Sequence, residues 1–154
     1  MGVLSKHGRL VRGGALAIAA HLLIAGCATV YEGEYEARVV ATVRIDTPSF
    51  VNETVETTER VEFPEGDMEI NEVLLERHWA DGPPCLLRGR KRGGFGLTFL
   101  GGDVCSRGGT AWTLTGGRAP NESSDELVID LEWTISGTDP PSSGVASETL
   151  FVSL

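Results

Sequence analysis

Beyond residue 27 this chain has one histidine, His78, one lysine, Lys91, and two cysteines, Cys85 and Cys105. Each scarcity excludes something. A lone histidine between Arg77 and Trp79, with no Gly-x-Ser-x-Gly or Ser-x-x-Lys run in the chain, leaves no base poised over a nucleophile. The 22 carboxylates are so many that none stands out as the acid or base of a glycosidase pair. Cys85 and Cys105 lack Cys-x-x-Cys spacing and a neighbouring histidine, so they suit neither a redox motif nor a zinc site. Glu32, Glu34 and Glu36 alternate on one prospective strand face, but without the glycine-turned Asp/Asn cluster of a calcium loop they read as a solvated acidic face. No apolar run approaches the roughly 20 residues that cross a bilayer as a helix. The expectation is a protein that is not an enzyme and needs no metal or cofactor, with His78 at the surface or at a strand end.

What the chain does have begins at its N-terminus. Lys6, Arg9 and Arg12 form a basic stretch, Ala15 to Ile24 an apolar one, and Ala25-Gly26 a pair of small residues before Cys27. That order is the order of an export signal. Ile24-Ala25-Gly26-Cys27 resembles the lipobox of bacterial lipoprotein precursors, with Ile24 where leucine is commoner and His21 an unusual polar residue in the apolar stretch. The resemblance implies that residues 1–26 form a helical signal peptide that is removed. It also implies that Cys27 gains a diacylglyceryl thioether and an N-acyl chain. Two or three acyl chains, at about 0.8 kcal/mol per buried CH₂, anchor a protein stably where one chain is marginal. Ala28, where lipoproteins kept at the inner membrane usually carry Asp, implies the outer membrane of a diderm host, or the plasma membrane of a monoderm one. Residues 27–33 are then a lipidated tether and 34–154 the folded domain.

Loss of the three leader basic residues takes the formal charge from −9 to −12. Such acidity favours solubility and argues against nucleic acid as a partner. With Cys27 committed to lipid in an oxidising compartment, Cys85 and Cys105 remain as a disulfide pair. Closing a loop of about 20 residues stabilises a small domain by roughly 3 kcal/mol.

Past residue 33 the hydrophobic pattern has a period of two. Leu127, Ile129, Leu131, Trp133 and Ile135 alternate with Glu126, Val128, Asp130, Glu132 and Thr134, which predicts a strand with one buried face. Tyr35 to Ile45 alternates likewise, and Val55, Thr57, Val61 and Phe63 form a weaker set. Met68 to Trp79 is open between helix and strand, with its proline and glycine borders favouring strand. Cys85 to Arg90, a turn at Lys91-Arg92-Gly93-Gly94, and Phe95 to Leu100 predict a hairpin whose base the disulfide would clip. Thr110 to Thr115 and Val145 to Val152 are further strands, and Gly116 to Asp125 is expected as a polar loop. The fold class is therefore all-β: a single antiparallel β-sandwich or small β-barrel of about eight strands. Phe63, Trp79, Phe95, Phe99, Trp112 and Trp133 are its expected aromatic core.

The stretch from Glu69 to Ile135, with Cys85-Leu86-Leu87, a glycine turn, Leu97, Leu100 and Gly101-Gly102-Asp103-Val104-Cys105, is similar to short uncharacterised lipoproteins of diderm bacteria such as myxobacteria. That resemblance implies an all-β domain and no particular activity.

Positive charge is unevenly placed. Arg88, Arg90, Lys91, Arg92 and Arg107 lie in or just beyond the cysteine-bounded hairpin, where Asp103 is the only acid. Arginine forks suit phosphate and carboxylate, so this is a candidate anion-binding patch, for an anionic glycolipid or an acidic envelope protein. The bland reading is that the charges keep an exposed hairpin edge from pairing with other sheets. The expected function is a lipid-anchored, non-enzymatic binding module of the cell envelope. The alternative is a carrier of a small hydrophobic ligand inside a barrel, against which the low aromatic content, 6%, counts.

Overall fold

The computed structural model describes residues 32–64, 71–92, 96–120, 125–138 and 140–154. The expected signal peptide at residues 1–26, Cys27 and Phe95 lie outside these residues.

The described chain is all-β, in nine strands: β1 Gly33–Thr47, β2 Val51–Phe63, β3 Glu72–His78, β4 Cys85–Arg92, β5 Gly96–Leu100, β6 Val104–Arg107, β7 Thr110–Ala119, β8 Glu126–Thr138 and β9 Pro141–Ser153. All pairings are antiparallel, and the sheet runs β5-β4-β3-β2-β1-β9-β8-β7-β6. It rings round, because β5 also pairs with β7.

The registers show why the count is nine where about eight were expected. β5 and β6 lie along the same edge of β7, Leu97 to Leu100 opposite Ala119 to Gly116 and Val104 to Arg107 opposite Thr113 to Thr110. They are one strand path broken at Gly101-Gly102-Asp103. The break needs its glycines: a Cβ on Gly101 would lie 2.6 Å from the Thr115 carbonyl oxygen, and Gly102 has φ +112°. Past this corner the ladder between β4 and its neighbour ends at the Gly89–Phe99 pair. Two other links take over. The Asp103 carboxylate accepts the Arg88 backbone N–H at 2.8 Å, and the Cys85–Cys105 disulfide, Cα–Cα 5.4 Å, joins β4 to β6. The disulfide thus fastens the ring where strand pairing lapses, rather than clipping the base of the β4–β5 hairpin.

Inside the ring the period-two pattern becomes packing. Leu127, Ile129, Leu131, Trp133 and Ile135 of β8 are all buried, as are Ala37, Val39 and Ala41 of β1, Leu114 of β7 and Leu150 of β9. Met68–Trp79 resolves as strand over its described part, Val73 and Leu75 pointing inward. Five of the six expected core aromatics are buried in one cluster, the sixth being Phe95. Gly116 to Ala119, expected as loop, extends β7 instead: paired to β5 on one side and β8 on the other, this glycine-rich stretch has no choice of conformation left to exploit.

Candidate functional site

The inward face holds two fully buried charges, Arg77 of β3 and Glu148 of β9. Both obey the alternation, Arg77 in phase with Val73 and Leu75, Glu148 with Ala146 and Leu150. Buried charge is tolerable only when paired and hydrogen-bonded, and here it is. Arg77 donates from Nε and Nη2 to both oxygens of Glu59, at 2.6 and 3.1 Å, and from Nη1 to Glu148 Oε2 at 2.5 Å. Trp133 Nε1 donates to the same Glu148 oxygen at 2.8 Å, and Arg107 Nη1 to the other at 3.4 Å. Burial alone would lower the Arg77 pKa; the charges of Glu148 and Glu59 outweigh it and hold the guanidinium above its already high ordinary value. Trp79, Trp112 and Trp133 surround this group with ring centroids 5.9–6.0 Å apart, and the Arg77 and Arg107 guanidinium carbons lie 5.1–5.9 Å from their rings. Every charge of this cluster has its counter-charge within the fold, which makes the cluster part of the structural core.

The outer face is different. Arg88, Arg90 and Arg92 alternate along β4 and are exposed, with roots roughly 6.6–6.8 Å apart from strand geometry. Across β5, Arg90 stands opposite Thr98, and Thr98 opposite Arg118 of β7, which brings a fourth arginine to the face about 9.5 Å from Arg90. An open cleft of about 750 Å³ lies here, with Arg92, Thr98 and Arg118 on its basic side, Gly116 in its lining, and Asp130 and Glu132 on its acidic side.

Five arginines elsewhere, Arg38, Arg44, Arg60, Arg77 and Arg107, form ion pairs with carboxylates. Among the described residues none of the ion pairs involves Arg88, Arg90, Arg92 or Arg118, although Glu72 stands opposite Arg90 and Asp130 opposite Arg118 in register. Asp130 instead accepts the Thr149 hydroxyl at 2.9 Å.

Of the five basic residues singled out in the sequence, Arg88, Arg90 and Arg92 therefore share one face. Lys91 neighbours them on the same strand, its backbone N–H bonded to the Asn71 carbonyl. Arg107 leaves the group: it turns toward Trp79 and Trp112 and pairs with Asp81 at 3.2 Å as well as with Glu148. Arg118 joins the β4 arginines from β7, in the stretch whose glycines predict a loop, so the sequence gives no sign of its place on this face. One group of metal-ligating type comes together among the described residues, Glu62, Glu76 and His78 on the outside of β2 and β3.

No protein family, curated protein or solved structure matches this chain.

Proposed function

We propose that this chain is a lipid-anchored protein of the cell envelope, at the outer membrane of a diderm host, acting as a non-enzymatic binding module that meets an anionic partner with the outer face of β4, β5 and β7. The observation that carries the reading is the segregation of unpaired arginine. In a chain of net charge −9, carboxylates pair with every described arginine except the four that share this face. Arginine offers planar, bidentate recognition of phosphate or carboxylate, and the flanking cleft gives such a group a place to sit. The ring interior does not favour the alternative of a hydrophobic-ligand carrier, since Trp133, Phe99, Leu75, Leu131 and the Arg77–Glu148 pair occupy it with fully buried side chains. The lipobox at Ile24 to Cys27 supplies the anchor.

Two measurements test the two halves. Intact mass of the membrane-extracted protein, with Cys27→Ala as control, is expected to show acyl chains on the wild type and none on the variant; a full-length unacylated wild type overturns the anchor. Flotation of the Cys27→Ala protein, which carries no acyl anchor, is expected to show capture by vesicles carrying phosphate-bearing glycolipid and not by neutral vesicles, and the same protein with Arg90→Glu/Arg92→Glu added is expected to be left behind by both. Equal capture of the two proteins removes this face from the function.

A further inference from the structure

Glu62 and Glu76 stand directly opposite one another in the β2–β3 register, and His78 follows Glu76 by two residues, so all three side chains share the outer face. Like charges placed directly opposite across a sheet oppose its pairing. These two are half-buried, their side chains 34% and 29% exposed, and the imidazole is 20% exposed. His78 Nε2 lies 3.2 Å from Glu76 Oε1 and 3.8 Å from Glu62 Oε2, and one ligand atom from each of the three falls within 4.8 Å of the others. Donors bound to a tetrahedral ion at about 2.0–2.1 Å stand roughly 3.3 Å apart, so the two measured edges bracket what such an ion requires.

We infer that Glu62, Glu76 and His78 form a binding site for a divalent transition-metal ion of the zinc type, with the remaining coordination position open to solvent or to a group from a partner. An imidazole with two carboxylates suits zinc and its neighbours better than magnesium or calcium, which prefer oxygen donors throughout. The site also has a position that makes mechanical sense. Among the described residues β2 and β3 pair through three positions, Arg60–His78, Val61–Arg77 and Glu62–Glu76, fewer than in any other ladder described. An ion holding one side chain of β2 and two of β3 clamps the seam there from outside, as the Glu59–Arg77 pair does from inside. One cation competes. Arg60 Nη2 lies 3.1 and 3.3 Å from the two ring nitrogens of His78, while its Nη1 reaches Glu34 at 3.5 Å. Ion binding turns Arg60 away from the imidazole, and Glu34 is positioned to receive it.

The test is titration of the detergent-solubilised full chain with Zn²⁺ against a chromophoric chelator, and with Co²⁺ read by its visible spectrum, in the wild type and in His78→Ala, Glu62→Gln and Arg60→Gln. Near-UV circular dichroism confirms that each variant is folded, and the melting temperature is recorded with and without Zn²⁺. The wild type is expected to bind one ion with a low-coordinate Co²⁺ spectrum and to melt higher with Zn²⁺. His78→Ala and Glu62→Gln are expected to weaken binding about tenfold or more. Arg60→Gln, which removes the competing cation, is expected to bind at least as tightly as the wild type. Equal binding by the wild type and His78→Ala, no binding by the wild type, or weaker binding by Arg60→Gln overturns the inference.

Discussion

Replacing Glu148 by alanine removes the acceptor shared by three donors and leaves the Arg77 guanidinium, wholly inside the ring, with Glu59 alone. Both Arg77 and Glu148 are 0% exposed at the side chain, so solvent cannot take over the lost role. Breaking a buried ion pair from one side costs about 3–5 kcal/mol, and the Trp133 N–H, left without its acceptor, adds about 1 kcal/mol or more. Arg107 adds little, since it is partly exposed and keeps Asp81. A loss of about 4–6 kcal/mol is a large share of the 5–15 kcal/mol typical of a whole domain; at this size it lowers the melting temperature by roughly 15–25 °C. The measurement is urea unfolding followed by tryptophan fluorescence, to which three mutually packed indoles report directly. The decisive comparison is Glu59→Leu/Arg77→Met/Glu148→Leu, which removes all three buried charges together and should recover most of the loss, because apolar replacement of a complete buried charge cluster is often neutral or better. Arg77 brings no pH dependence of its own to this cluster. Its folded pKa is raised above an already high unfolded one, so its contribution is complete below the unfolded value and fades only beyond the ordinary alkaline range. A single substitution costing under about 1 kcal/mol, or a triple variant no more stable than the single one, refutes the assignment of the cluster to the structural core.

Two further outcomes follow from the backbone. Cys85→Ser/Cys105→Ser is expected to lose roughly 3 kcal/mol and, since the disulfide spans the place where β4 and β6 have no ladder, hydrogen exchange should rise most in β6; uniform loosening would contradict that placement. Gly116 and Gly117 are neighbours in β7 with opposite tolerance: a Cβ on Gly116 meets nothing within 4 Å, whereas one on Gly117 would lie 2.6 Å from Leu131 Cδ2 and 2.8 Å from the Asp130 carbonyl oxygen. Gly116→Ala should thus melt within a few degrees of the wild type and Gly117→Ala clearly lower, with equal melting temperatures showing that the β7–β8 bulge between Leu114 and Gly116 relaxes freely.

How much of this was legible in the sequence depends on whether a position's phase and its residue type agree. In β8 they agree at all five inward positions, and the strand and its buried face follow from alternation alone. At Arg77 and Glu148 the phase points inward while the residue type points to water; only the three-dimensional pairing of one with the other makes burial tolerable, and strands three places apart in the sheet order have no signature in sequence. Gly116 to Arg118 shows the converse. Glycine propensity argues for a loop, yet closure of the ring supplies partners on both edges and overrides it. The outer sites divide in the same way. Arg88, Arg90 and Arg92, or Glu76 and His78, can be seen on one face from a period of two; the completing members, Arg118 and Glu62, come from strands whose register is set only when the ring closes. A charged residue in inward phase on an otherwise apolar strand should therefore be read as a demand for a counter-charge on another inward face. Here Arg77 poses that demand, and Glu59 and Glu148, each in phase with apolar inward neighbours of its own strand, answer it.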